Sequence, residues 1–139
     1  MDWSQIPDIR KFIQLVCLAI QATDGPVEVS TRLRAGSPRL IRIVLRNHTE
    51  LRREAKGILA SLGNALDEGD TFRAALCRSE FIDSLAHYVG QAVKECYDEL
   101  DPPQMDPESG FLLWSAEHLV QADDYRTGAA AYMRLLARG

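Results

Sequence analysis

A long run of apolar positions at alternating steps of three and four residues most constrains how this chain of 139 residues folds. Such steps keep side chains on one face of an α-helix, whereas a half-buried strand needs steps of two. Ser37 followed by Pro38 is typical of an N-cap and a first helical residue. The pattern therefore predicts one long helix over residues 38–66. The positions are Ile41, Val44, His48, Leu51, Ala55, Ile58, Leu62 and Ala65.

The start of this helix and the residues before it have a second interpretation. VEVSTRL, residues 27–33, alternates apolar and polar side chains as a short strand does. RLIRIVL, residues 39–45, is apolar on nearly every side and follows a turn of Arg, Ala, Gly and Ser. A short β-hairpin within residues 27–45 is therefore the alternative to a helical start.

The same kind of periodicity predicts the rest of the fold. Gly25-Pro26 and Asp67-Glu68-Gly69-Asp70 are typical of turns, with Asp70 or Thr71 as the next N-cap, and residues 101–110 form a Pro-rich connector. We expect an all-α single domain over residues 1–139, a bundle of about five helices built from antiparallel helix hairpins. Besides 38–66, the predicted helices are 6–21, 71–100, 108–121 and 125–137.

Two stretches resemble a tetratricopeptide unit, residues 58–76 and 112–136. The resemblance implies helix hairpins with small residues where helices touch, and a scaffold that binds other proteins. Gly128 replaces the alanine usual in that family, and the two registers lie 53 residues apart, whereas the family period is about 34 residues. A regular array is therefore not expected. The matching residues are Leu62, Gly63, Leu66, Gly69, Phe72 and Ala75, then Ala116, Leu119, Tyr125 and Tyr132.

Residue types that carry metal or thiol chemistry show no pattern here. The 3 cysteines stand at apolar helical positions without metal-binding spacing, so we expect buried free thiols. Glu80, Asp83 and His87 share a helix face that continues with other polar residues, as on an exposed helix. We expect no cofactor and no metal. The first residues do not resemble a signal peptide and apolar runs are short, so we expect a cytoplasmic location and no membrane partner.

The charges of the chain are strongly segregated, although the net charge is only −4. Residues 31–57 carry eight positive and two negative side chains, and seven of the eight are arginines. Residues 58–139 carry six positive and fourteen negative side chains. Such segregation indicates the sign of a partner rather than the fold.

The cations of the predicted long helix form the candidate binding site. At 100° per residue, four arginines fall in a narrow stripe opposite the apolar positions, and two further cations lie on its flank. Guanidinium groups make planar, bidentate contacts with carboxylates and phosphates, which favours recognition over simple solvation. A plain solvated face remains the other interpretation. The six candidates are Arg39, Arg42, Arg46, Arg52, Arg53 and Lys56.

These observations favour a protein that works by binding and not by catalysis. The arginine face suits a protein partner with an acidic surface, as in an adaptor, an assembly subunit or a small inhibitor. The acidic half of this same chain is another candidate for those contacts. The alternative function is nucleic-acid binding, or a place in a ribonucleoprotein complex, with the same arginines on phosphates. The sequence shows no nucleophile motif or phosphate-binding glycine motif.

Overall fold

The computed structural model describes residues 5–22, 27–100 and 123–138. Those residues form five α-helices and contain no strand. The all-α prediction is therefore confirmed. The helices are α1 (Pro7–Ala22), α2 (Val27–Arg34), α3 (Pro38–Asp67), α4 (Thr71–Asp98) and α5 (Asp123–Arg138).

α3 and α4 form an antiparallel hairpin, and the contact between them is the largest between any two of these helices. α1 packs against both of them, α2 packs against α1 and α3, and α5 packs mainly against α1. The apolar seam that the sequence predicts on α3 lies in this core, where Val44 and Leu51 are fully buried. They belong to the same buried cluster as Phe12 of α1, Phe81 of α4 and Tyr132 of α5. Burial of these side chains supplies most of the driving force for folding.

The turn between α3 and α4 ends one helix and starts the next within three residues. Gly69 has a φ of +70°, a left-handed conformation that glycine adopts without steric cost. Its N–H donates to the carbonyl of Leu66 at 3.2 Å, and the Asp70 N–H donates to that of Ala65 at 2.8 Å. This is a Schellman motif. The Asp70 carboxylate then accepts from the Arg73 N–H at 3.0 Å, which confirms the predicted turn and cap.

The β-hairpin alternative over residues 27–45 is wrong. VEVSTRL is helix α2, in which Val29 and Leu33, one turn apart, are both buried. Gly36, with a φ of +79°, ends this helix, and the Ser37 N–H donates to the Arg32 carbonyl at 3.0 Å. A helix places Val29 and Leu33 on one side, against α1 and α3, and satisfies its backbone groups internally. The segment is too short for its periodicity to distinguish a helix from a strand, so packing against α1 and α3 determines its conformation.

The other predicted helices have mixed outcomes. Four of them match α1, α3, α4 and α5 to within about two residues at each end, the usual uncertainty of helix boundaries. The helix predicted over 108–121 lies outside the described residues. Ser37 is the N-cap of α3 by position, yet its side chain makes no capping hydrogen bond.

The stretches that resemble tetratricopeptide units occupy only parts of longer elements. Residues 58–76 do form a helix–turn–helix, but α3 has 30 residues and α4 has 28. A pair of that length exceeds a repeat of about 34 residues. The second stretch lies partly outside the described residues. Within it, a Cβ on Gly128 would lie 2.8 Å from Leu15 Cδ2, so glycine allows α5 to approach α1 closely.

The three cysteines are free thiols inside the core, as the sequence predicts. Burial raises the pKa of Cys96 to about 12, and burial also raises the pKa of Cys17. Because the thiolate is the reactive form, neither sulfur is set up as a nucleophile.

α3 is much longer than the helices that cover it, and this difference positions the candidate site. At 1.5 Å per residue α3 is about 45 Å long, whereas α1 and α5 are each about 24 Å long. Among residues 56–67 of α3, Ala65 is the only buried residue. The last third of α3 therefore packs mainly on α4, and most of its side chains are exposed or half-buried.

The left-handed glycine of the α3–α4 turn can be tested against a helical glycine nearby. We expect Gly69→Ala to lower the free energy of unfolding by about 1 to 2 kcal/mol, because a Cβ is strained at positive φ. Gly57 lies in the middle of α3 with nothing within 4 Å of an added Cβ. Gly57→Ala should therefore raise the free energy of unfolding by up to about 1 kcal/mol. Urea denaturation measures both, and the same sign for the two variants would contradict this account of the turn.

Candidate functional site

All six candidate cations lie on α3 and are exposed. Their neighbours divide them into three groups: two paired with α4, one paired with α1, and three with a weak partner or none. The division matters because a cation without an ion pair in this chain can contact another molecule without first breaking one.

Arg39 and Arg46 pair with carboxylates near the end of α4. The Arg39 Nε lies 2.8 Å from the Glu99 Oε2, and the Arg46 Nη2 contacts the Glu95 Oε1. The Asn47 side chain donates to the other oxygen of Glu95 at 2.8 Å. The acidic half of this chain thus takes two of the six cations. Both arginine side chains are more than half exposed, so each pair contributes at most about 1 kcal/mol.

Arg52 is held on the other flank of α3 by α1. Its Nη1 lies 3.0 Å from the Asp8 Oδ2, in the first turn of α1. The same Asp8 oxygen lies 3.9 Å from the His48 Nε2. Arg52 is still about half exposed, so one side of its guanidinium remains accessible.

Three cations have a weak partner or none in the described chain. Arg53 lies 3.5 Å from Glu50 on its own helix, and 73% of its side chain is exposed. In the part of the chain that the structure describes, neither Arg42 nor Lys56 forms an ion pair. These three are the cations most available to a partner.

A groove of about 700 Å³ lies beside Arg53 and Lys56, between the second half of α3 and the end of α5. Its lining is apolar along Leu59, Leu62 and Leu66 of α3 and Leu136 of α5. Ala60 and Gly63 also line the groove, and because these residues are small, another molecule can closely approach the backbone of α3 there. Three of the six candidate cations, Arg52, Arg53 and Lys56, border one end and are called the basic rim below. The structure therefore combines an apolar floor with a positive edge.

The sequence did not predict this groove. Leu62 belongs to the predicted seam and was expected in the core, whereas Leu66 was named only as a match to the spacing of the tetratricopeptide family. Leu62 is only half-buried, and 55% of Leu66 is exposed. Phe72 and Leu76 of α4 are also exposed near the same end of the hairpin. The one sequence signal for such a groove is helix length, because the helix predicted over 38–66 is much longer than those predicted over 6–21 and 125–137.

His48 lies in the core beneath this face, as expected for a packing histidine. Its ring is 3% exposed and forms edge contacts with Phe12, at 5.4 Å between centroids, and with Tyr132, at 5.8 Å. Burial lowers the pKa of His48 to about 4; Asp8 opposes this shift and Arg52 adds to it. No group of the described chain forms a hydrogen bond with its Nε2. His48 is therefore a neutral core residue at neutral pH.

Two further properties of the described residues bear on the kind of site. No group of three His, Cys, Asp or Glu side chains among them could hold a metal ion, and this includes Glu80, Asp83 and His87. None of their helices is both long and apolar enough to cross a lipid bilayer.

No protein family, curated protein or solved structure matches this chain.

The pKa of His48 predicts how stability depends on pH. The folded value, about 4, lies below the value of about 6.5 expected for the unfolded chain. The unfolded state therefore binds the proton first, and stability is present above pH 6.5 and lost as the pH falls toward 4. Between pH 7.5 and 5 we expect a loss of about 2 kcal/mol from this residue.

Urea denaturation at several pH values measures this loss, with His48→Gln as the variant that cannot titrate. The readout is the slope with pH, so a constant loss of stability in the variant does not disturb it. Equal slopes for the two proteins between pH 7.5 and 5 would show that His48 is not the titrating group.

Proposed function

We propose that this protein is a non-enzymatic protein-interaction module, such as an adaptor, an assembly subunit or a small inhibitor. It acts in the cytoplasm and binds an acidic surface of another protein through the exposed face of α3. The observation that carries the proposal is the basic rim beside an apolar groove, on a length of α3 in which Ala65 is the only buried residue after Lys56. Arg42, on the same helix, adds an exposed cation that forms no ion pair with the described residues.

Three features favour a protein partner over a nucleic acid. Burying apolar side chains of a partner on the apolar floor contributes favourable binding free energy, whereas a phosphate backbone has no such side chains to bury. Arg39 and Arg46, which would extend the positive stripe along α3, are paired with Glu99 and Glu95. The excess of negative charge after residue 57 also repels a long polyanion.

The contribution of the face can be tested with two triple variants that lose the same charge. In Arg42→Ala/Arg53→Ala/Lys56→Ala the accessible cations of α3 are removed. In Arg10→Ala/Arg78→Ala/Arg134→Ala three exposed arginines on α1, α4 and α5 are removed instead. Affinity purification from the native host should recover the same acidic protein with the wild type and with the control. The α3 variant should recover at least about fivefold less, as expected when about 1 kcal/mol of contact is lost.

Nucleic-acid binding is tested in the same proteins by fluorescence anisotropy of labelled DNA and RNA at about 50 and about 200 mM salt. We expect no binding in the micromolar range that depends on Arg42, Arg53 and Lys56. Binding that collapses at the higher salt and disappears in the α3 variant would replace the proposal with the nucleic-acid alternative.

A further inference from the structure

The groove between the second half of α3 and the end of α5 has a shape and a chemistry that restrict what can fill it. Leu59, Leu62, Leu66 and Leu136 form its apolar part, and the basic rim of Arg52, Arg53 and Lys56 borders one end. An occupant must therefore bring apolar side chains along its length and negative charge near one end. A solvated polar loop would satisfy neither requirement.

The backbone of the groove offers an extended occupant no hydrogen-bond partners. Both walls are α-helices, and inside a helix every backbone N–H already has a carbonyl partner. No strand edge exists within residues 5–22, 27–100 and 123–138. Each N–H or C=O group that an extended peptide buried against these walls would lack a partner, at a cost of about 1 to 3 kcal/mol for each group. A helix satisfies these groups internally.

We propose that the groove binds an amphipathic α-helix of the partner protein, with acidic residues that contact Arg53 and Lys56. The inference rests on the proposed function, because it specifies which part of the partner this protein binds. Along α3 the groove extends from Arg52 to Leu66, a distance of about 21 Å, which accommodates about four helical turns. The partner helix has apolar residues at steps of three and four toward Leu59, Leu62 and Leu66. Its backbone approaches α3 most closely at Ala60 and Gly63.

The proposed occupant is a separate protein, because the basic rim requires acidic side chains beside the apolar face of whatever fills the groove. Two copies joined in parallel through this face would bring their basic rims together, and like charges in a contact oppose association. Two copies joined antiparallel would instead place each rim near Asp67 and Glu68 of the other copy, and the experiment below must detect that arrangement. A second copy that used another of its surfaces, and residues 101–122 of the same chain, are other occupants that the experiment below must detect.

Gly63 offers a way to fill the groove without disturbing the fold. A Cβ added at Gly63 meets nothing within 4 Å, so Gly63→Leu places a side chain in the groove of a folded protein. Gly57 is the matched control, because it lies on the same helix with the same free space but does not line the groove. Both substitutions replace a helical glycine with a good helix former and should leave the protein folded.

The probe is a yeast-displayed library of random peptides of about 20 residues, sorted for binding to the full-length wild-type protein. We expect the selected peptides to be acidic, to carry apolar residues with helical spacing, and to gain helical circular dichroism when bound. Their affinity should fall at least about tenfold for Gly63→Leu and change less than about twofold for Gly57→Leu. Selected peptides that lack helical spacing, or that bind Gly63→Leu as well as the wild type, would overturn the inference. So would the absence of any selected peptide.

Sedimentation velocity and thermal unfolding of the three proteins detect the other occupants. A dimer that dissociates only in Gly63→Leu identifies a second copy in the groove. A melting temperature that falls in Gly63→Leu relative to Gly57→Leu identifies a segment of the same chain. Either result overturns the inference, whereas equal monomer mass and equal melting temperature for the two variants support it.

The affinity purification separates failure of the inference from failure of the proposed function. If the Arg42/Arg53/Lys56 variant loses the acidic partner and Gly63→Leu retains it, the module binds a protein but not through a helix in this groove. If both variants retain the partner, the inference and the proposed function fail together.

Discussion

Packing of α3 against α4 determines where every other part of the molecule lies. The two helices contribute most of the buried apolar side chains, and α1, α2 and α5 cover one end of their hairpin. The contact depends on the continuous apolar seam of α3 and on the left-handed turn at Gly69. Because α1 and α5 are about half as long as α3, the hairpin extends beyond them. The groove lies between this extended part of α3 and the end of α5.

The charges of α3 have two separate roles in this arrangement. Arg39 and Arg46 face carboxylates of α4, and Arg52 faces Asp8 of α1, so these three help to hold neighbouring helices in register. Arg53 and Lys56 lie farther along the helix, where no other helix in the described part of the chain supplies a carboxylate to either of them. The cations look alike in the sequence, but some of them form ion pairs between helices and others are accessible to a partner. The accessible Arg53 and Lys56 lie beside the apolar groove, and this coincidence is the main support for a binding role.

The sequence predicted most of the helices because their signals are local. Steps of three and four identify α3 over many turns. Pro38 at the first helical position, the left-handed Gly69 and the Asp70 cap mark helix ends through interactions of adjacent residues. The segment at residues 27–33 was harder, because alternation over seven residues fits a strand as well as two turns of helix. Its conformation depends on α1 and α3, which bury Val29 and Leu33.

The candidate site was predictable only in part, since its geometry depends on residues far apart in sequence. The six cations could be placed on one helix from spacing alone, but the partners of Arg39, Arg46 and Arg52 lie in α1, in α4 or directly after α4. The exposure of Leu66 follows from where α1 and α5 end in space. No pattern within α3 distinguishes a leucine that packs in the core from one that lines an open groove.

The extended end of the α3–α4 hairpin also separates binding from folding. Residues 56–67 of α3 bury a single side chain, so amide hydrogens there can exchange with solvent through local opening while the core around Leu51 and Phe81 stays closed. Substitutions in this region change the surface without a large cost to global stability. The binding surface at this end of the molecule can therefore change during evolution more readily than the buried part of the same helix.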